Sequence, residues 1–559
     1  MQLVAYGAQD VYLSGNPQIT FFKVVYRRHT NFSVEPIPQT WNGSADFGRT
    51  VTCNINRNGD LITNMYLCVK LAAVEANTVS WGYINRLGHA IVNDVKIEIG
   101  GSKIDEHYGD WLNIWYELTH ETSQERGYSK MIGNVSALTD VTKSAKLAYT
   151  MYVPLVFWFN RNNGLALPLI ALQYHDVRIT LIYNSFAACV NYRGPTAPVV
   201  SNAMTDSFLV IDYVYLDSEE RKRFAQASHE YLIEQLQFTG SESLTSTSNK
   251  YRLNFNHPCK YLIWAPHYDL FQKAQLWLAY AFDGNWAAAS EYFAKALSVL
   301  TADTLTTTSN VVTAKYALES GSDAGSLVPL KKSTDIGSSI LKTLLDKVEV
   351  QWSLDTFTTA GVVTLGSIDT EANINILFGN AIVSRNELTV SDLTQTVANL
   401  LAGFTTAPTS TSPQTVFTNA VGYTTINPFN YANNIDESDN PVYTAKLQLN
   451  GHDRFQERDG NYFNYVQPHQ HFTHTPADGI NVYSFALKAE DHQPTGSCNF
   501  SRIDNATLNV SVGSNNSNID SSTYTSKYLS GTSSVLNIYT VNYNVLRVMS
   551  GMAGTAYSN

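Results

Sequence analysis

Residues 152–183 read YVPLVFWFNRNNGLALPLIALQYHDVRITLIY. An apolar run (Val156, Phe157, Trp158, Phe159) precedes Asn163-Gly164, and a second apolar run follows from Leu165 to Leu172. Asn-Gly between two hydrophobic runs predicts a tight reversal, because both residues tolerate positive φ. The stretch closes on alternation, with Val177, Ile179 and Leu181 facing one way and Asp176, Arg178 and Thr180 the other. A period of two is the pattern of a strand with one buried and one solvated face. The stretch predicts antiparallel sheet.

The same signals extend in both directions. Asn42-Gly43 and Asn58-Gly59 mark turns, the latter between strand-like runs at 50–56 and 61–71. Val95, Ile97 and Ile99 alternate with charged residues before Gly100-Gly101, and 207–216 is another strand-like run. The pattern then changes at Asp217-Ser218-Glu219-Glu220, an N-cap acceptor with Glu three residues on. A capping box there predicts a short helix to about Ala227, with Arg221, Lys222 and Arg223 on a solvated face. A second β block begins near Glu234, with strands at 261–265 and 276–282 and a turn at Asp283-Gly284.

Between about 285 and 441 the chain is rich in Thr, Ser and Ala, with helical periodicity at 287–300, 338–348 and 391–401. It reads as a long surface insertion. Sheet signals resume with Ala445, Leu447 and Leu449, then Leu508, Val510 and Val512, then Val541, Tyr543 and Val545. Asn450-Gly451, Asp459-Gly460 and Asp478-Gly479 are expected turns. Strands, a helix and strands again indicate two β-sandwiches in tandem.

At 559 residues the chain exceeds one ordinary domain. A net charge of -11 without a long basic run argues against a nucleic-acid groove, and against charge-driven adhesion to anionic membranes. Cys53, Cys68, Cys189, Cys259 and Cys498 are widely spaced, with neither a disulfide framework nor a zinc knuckle, which suits a reducing compartment. No secretory signal and no apolar run of membrane-spanning length is present, so the protein is expected to be soluble when made.

Seven blocks carry a resemblance. They are QLVAYGAQDVYLSGNPQITFFKVVYRRHTNF (2–32), NRNGDLI (56–62), FWFNRNNGLALPLIALQYHDVRI (157–179), YLDSEERKRFAQASHEYLIEQLQ (215–237), KLQLNGHDRFQERDGNYFNYVQP (446–468), PTGSCNFSRIDNATL (494–508) and YNVLRVMSGMAGTAYSN (543–559). In this order they resemble the major capsid proteins of nucleocytoplasmic large DNA viruses, the phycodnavirus- and iridovirus-like double jelly-roll family. The resemblance implies an all-β fold of two tandem eight-stranded antiparallel jelly rolls joined by a short helical linker, with a long mixed insertion in the second. The implied division is an N-terminal arm at 1–25, a first roll at 26–216, a linker at 217–237 and a second roll at 238–559, with the insertion at about 285–441.

It further implies three chains per capsomer, pseudo-sixfold outlines tiling an icosahedral shell, and a virion location after assembly in the host cytoplasm. The implied partners are neighbouring capsomers, minor capsid and penton proteins, and an internal viral membrane reached by the arm. Outer-surface glycans are compatible with the family, and no direct nucleic-acid contact is expected. The alternatives are a lectin-like or host-attachment protein, since jelly rolls also bind sugars, and a jelly-roll enzyme.

No P-loop, G-x-S-x-G or H-E-x-x-H motif occurs. His469, His471 and His474 are the most site-like cluster, and on a strand the first two would share a face. With no neighbouring cysteine or carboxylate they read as hydrogen-bonded or surface histidines. Asp453, Glu457 and Asp459 suggest paired carboxylates, yet Arg454 and Arg458 between them favour local ion pairing. Sequons stand at Asn31, Asn42, Asn134, Asn499, Asn505, Asn509 and Asn515. No catalytic, cofactor-binding or metal residue is assigned.

Overall fold

The computed structural model describes residues 29–77, 81–139, 144–192, 198–200, 203–268, 440–513 and 534–557, with isolated positions elsewhere and short strands between 306 and 382. Apart from such positions, the expected arm 1–25, the strand at 276–282 with its Asp283-Gly284 turn, and the helices at 287–300, 338–348 and 391–401 lie outside the described residues.

The first half supplies eight principal strands: β1 (Phe32–Thr40), β2 (Thr50–Asn54), β3 (Leu61–Leu71), β4 (Val92–Ile99), β5 (Ser102–Tyr108), β6 (Tyr149–Pro154), β7 (Val177–Tyr183) and β8 (Met204–Leu216). One sheet runs β1-β8-β3-β6 and the other β2-β7-β4-β5, antiparallel throughout. Leu209, Leu67 and Val153 lie in register across the first sheet and meet Val95, Ile97, Ile179 and Leu181 of the second in one core.

The second half repeats the plan. Its strands are β9 (His229–Ser243), β10 (Ser248–Arg252), β11 (Pro258–His267), β12 (Val442–Leu449), β13 (His452–Asp453), β14 (Asn481–Ser484), β15 (Ala506–Val512) and β16 (Val535–Met549). The sheets run β9-β16-β11-β14 and β10-β15-β12-β13, position for position the order of the first half. Leu262, Trp264 and Ile538 face Ala445, Leu447, Leu508 and Val510 across the second core. The fold is a double jelly roll.

Several expectations need correcting. The chain does not reverse at Asn163-Gly164, and neither residue has positive φ. The Asn162 side chain instead accepts from the Gly164 N–H at 2.8 Å, and Trp158–Arg161 forms one helical turn. The reason is topological: β6 and the short strand Leu167–Pro168 both pair antiparallel with β3, so the chain leaves and rejoins the same sheet in one direction instead of turning back. Phe157, Trp158 and Phe159 fill the core on this excursion, and the crossing to the sheet of β7 comes only after Pro168.

The capping box at Asp217 is not made either. The helix Ser218–Gln226 starts with Arg221 N–H donating to the Asp217 backbone carbonyl at 2.8 Å, without a side-chain cap. Buried Asp60 holds the helix entry instead, accepting from the Leu216 N–H at 2.9 Å and from Arg221 Nε at 2.8 Å. Of the expected 217–237 linker only this helix is helical, because β9 already begins at His229. Glu234 and Gln235 obscure that strand in the sequence, since both are buried through polar partners.

Asn450 and Gly451, at φ 51° and 81°, form the hairpin turn their sequence predicts. Asp459-Gly460 does not. Gly460 packs where an added Cβ would lie 1.7 Å from the Val442 carbonyl oxygen, so the chain there leaves a strand pairing for a helix. Gly460→Ala should therefore collapse folded yield or melting temperature. Gly451→Ala, strained but open in space, should cost about 1 kcal/mol. Thermal melts of the two variants check this.

Candidate functional site

The chemistry-bearing side chains gather at the seam between the rolls. The helix α1 (Gly109–Thr119) leaves β5 of the first roll and lies on the outer face of the second roll's β9-β16-β11-β14 sheet. Its sequence GDWLNIWYELT puts Trp111, Ile114 and Leu118 on one stripe, the spacing of a helix face. That stripe packs on Tyr261, Ile263, Tyr539, Val541 and Val482. Leu112 points into the first roll's own core. The sheet is consequently buried on both faces.

Polar groups pin the helix at both ends. Asp110, in its first turn, accepts from Tyr280 Oη at 2.6 Å, Tyr539 Oη at 2.7 Å, Asn537 Nδ2 at 3.2 Å and His267 Nε2 at 3.2 Å. Burial alone would raise its carboxyl. The charge of His267, with hydrogen bonds from His267, Tyr280 and Tyr539, outweighs burial and holds it at about 2. At the other end Glu117 pairs with Arg86 and accepts from the Ala477 N–H at 3.0 Å.

A buried ion cluster crosses the same seam. Glu234 of β9 takes Lys260 Nζ of β11 at 2.7 Å and Arg161 of the first roll at 3.0 Å. Lys260 also donates to the Asp491 carbonyl at 3.0 Å, and burial pushes its ammonium down. Arg161 lies over the Trp115 ring at 4.6 Å. Beyond it, the far end of β16 enters the first roll: Leu546 and Val548, with Ala553 of the returning strand Met552–Thr555, belong to that roll's core. There the Tyr174 N–H donates to the Gly551 carbonyl at 2.9 Å.

The residues singled out in the sequence are scattered. His469 and His471 lie on the helix Gln467–His471, where positions two apart point in different directions, so the strand geometry expected for them does not occur. His471 Nδ1 donates to the Leu487 carbonyl at 2.9 Å. His474 sits at the seam, donating from Nδ1 to the Glu117 carbonyl at 2.9 Å with its ring 3.8 Å from that of His120. Asp453 pairs with Lys446 at 3.4 Å and Gln448 at 2.7 Å, Glu457 accepts from Thr444, and Arg458 lies over Tyr462. Strand pairing brings β12 side chains across to Asp453 and Glu457, and among the described residues Arg454 and Arg458 form no ion pair with these acids.

Asn31, Asn42, Asn499 and Asn505 are exposed, Asn134 and Asn509 are half-buried, and Asn515 lies outside the described residues. Cys53, Cys68, Cys189 and Cys259 are buried, and all five thiols are free.

Residues 20–217 match the family described as major capsid protein N-terminus, and residues 220–333 and 405–554 match the large eukaryotic DNA virus major capsid protein family. The chain belongs to this family. It is 42% identical to the major capsid protein of Phaeocystis pouchetii virus and 37% identical to that of Paramecium bursaria Chlorella virus 1, each over all of this chain and 99% of the relative. The crystal structure of PBCV-1 VP54, fitted into a reconstruction of the virophage Sputnik, superposes with a TM-score of 0.61 at 32% identity, covering 97% of this chain and all of that one. The Faustovirus major capsid protein, 12% identical with a TM-score of 0.58 over 97% of this chain and 94% of that one, shares the fold. This major capsid protein is a structural subunit of an icosahedral viral shell, where it assembles with other capsid subunits. The lectin alternative gains no support from these relatives.

Sequence reasoning missed the seam. The stripe Trp111, Ile114, Leu118 was the available signal, but Asp110 looks like an ordinary first-turn acid until its four partners converge from distant positions.

Asp110 is held below the ordinary carboxylate value, so its contribution is complete above pH 3.8 and disappears as pH falls toward 2. Asp110→Asn should cost about 2 kcal/mol at neutral pH and flatten the decline of melting temperature between pH 4 and 2. A pH series of melts on both proteins measures this. Glu234→Gln leaves two cations without a counter-charge and should cost about 3–5 kcal/mol, read by denaturant unfolding.

Proposed function

We propose that three copies of this chain form one capsomer of pseudo-hexagonal outline, and that such capsomers tile the shell. The observation that carries this is the identical strand order of the two rolls: three chains place six like sandwiches in a ring. A ring of quasi-equivalent units fits a hexagonal net, and many weak polar contacts between capsomers accumulate into a stable shell by avidity.

The role is structural and not catalytic. In this reading the arm at 1–25 lies on the inner side, toward minor capsid proteins and the internal viral membrane, and the insertion at about 285–441 crowns the outer surface. The first roll spans 26–216, and the second roll opens at the strand His229–Ser243 after the short helix Ser218–Gln226. Penton proteins close the vertices, assembly takes place in the host cytoplasm, and glycans decorate the outside. The net charge of -11 supports the absence of direct genome contact.

Size exclusion with light scattering should give a mass near three times 62.0 kDa, and negative-stain images should show hexagonal outlines. A well-behaved monomer would count against the capsomer.

A further inference from the structure

All five cysteines are free, and two of them face each other. Cys259 lies in β11, and Cys498 in the two-residue strand Cys498–Asn499 that pairs antiparallel with the start of β11. Pro258 stands opposite Asn499, and Cys259 opposite Cys498. Residues directly opposite in an antiparallel ladder point to the same side of the sheet. Both side chains accordingly join the second core, Cys259 fully buried and Cys498 half-buried at its rim.

The register suits a bond between them. Pro258 has no N–H, and the Phe500 N–H donates to the His257 carbonyl at 3.1 Å, so Cys259 and Cys498 are the hydrogen-bonded pair of this ladder. The Cα atoms of such a pair stand about 5.5 Å apart, within the span a disulfide bridges. No other cysteine is so placed. Cys53 is opposite Ile179, Cys68 is opposite Phe208 and Tyr152, and Cys189 ends the turn Phe186–Cys189.

The same edge of β11 receives β14 and then, after residues 485–497, the strand Cys498–Asn499. That loop carries the Asp491 carbonyl to which buried Lys260 donates at 3.0 Å. Two residue pairs alone make up the ladder of its return strand. A covalent bond there would fasten the loop to β11, and with it one partner of the Lys260–Glu234–Arg161 cluster. It would also close a loop of about 240 residues, and long loops gain most from closure.

We propose that Cys259 and Cys498 are a reversible modification site, closed to a cross-strand disulfide by exchange with a small-molecule disulfide of the glutathione class. Half-buried Cys498 reacts first. Its thiolate attacks one sulfur of the oxidant, whose S–S bond breaks and releases a glutathione thiolate. The Cys259 thiolate then attacks the Cys498 sulfur and displaces the second. Two protein thiols are oxidised, one glutathione disulfide is reduced to two thiols, and the protons given up by the cysteines end on those thiols. Burial pushes the Cys259 thiol up to about 12, and it donates to the Asn256 carbonyl at 3.5 Å, so the second step is the slow one. Excess reduced glutathione keeps the pair open, and an oxidising medium closes it. The site does not depend on the trimer.

The test is incubation of the folded full-length protein with oxidised glutathione, then thiol counting after acid denaturation and mapping of non-reduced peptides. The count should fall from five to three, and one linked pair of peptides should carry Cys259 and Cys498. Melting temperature should rise by about 5 °C and return with dithiothreitol. Cys498→Ser should keep its four thiols, and its melting temperature should not respond to the oxidant. Cys259→Ala should stop at a single glutathione carried on Cys498.

Five thiols retained by the folded parent, a linkage to Cys53, Cys68 or Cys189, or a parent that stops at a mixed disulfide would overturn the site. The parent's peptide map decides this even where a variant fails to fold.

Discussion

The second roll's β9-β16-β11-β14 sheet is apolar on both faces, and the arrangement of the chain follows from that. Inward, Leu262, Trp264 and Ile538 make an ordinary sandwich core. Outward, Tyr261, Ile263, Tyr539 and Val541 form a surface that would be a docking or aggregation liability if left in water. The cover comes from the other roll, through α1. The two rolls are therefore coupled folding units, and the length of the first roll's connection between fifth and sixth strands is explained by what it must reach.

Apolar burial supplies much of the attraction across this seam, while polar groups set its geometry. A tryptophan stripe slides on a flat sheet at little cost, but a buried carboxylate does not. Asp110 satisfies four donors, and its negative charge in the first turn of α1 complements the helix dipole. Glu234 ties strands of the second roll to Arg161 of the first. Gln235 extends the same logic, donating to the Ile104 carbonyl and accepting from Asn544. Such groups are poor sources of net stability and good sources of uniqueness, because a displaced register would leave them unsatisfied.

What the sequence made legible is what depends on neighbours along the chain. Alternation located β4, β7, β12 and β15, since one wet and one dry face leave a period of two. It placed β16 through Val541, Tyr543 and Val545 even though residues 539–544 are all buried, and it began the second block late, near Glu234, because β9 hides Glu234 and Gln235 inside hydrogen-bonded pairs. Turn chemistry succeeded at Asn450-Gly451, which joins adjacent strands, and misled at Asn163-Gly164, where the chain makes an excursion and rejoins the same neighbouring strand in the same direction. Local rules do not encode that choice. The histidines at 469 and 471 were misjudged for a related reason, a helix read with a strand's period.

The two outer sheet faces differ in composition. The covered face is aromatic and aliphatic, the composition of a permanent interface. The open face mixes Val34, Val210 and Tyr152 with Lys70 paired to Asp206 at 3.1 Å and Asn64 bonded to Asp212 at 3.1 Å. An apolar centre with a polar surround lets a subunit remain soluble before it meets its neighbours and still gain from desolvation afterward. A permanent contact inside the chain fixes the spacing of two rolls before assembly begins, so part of the ordering cost of assembly is met by folding.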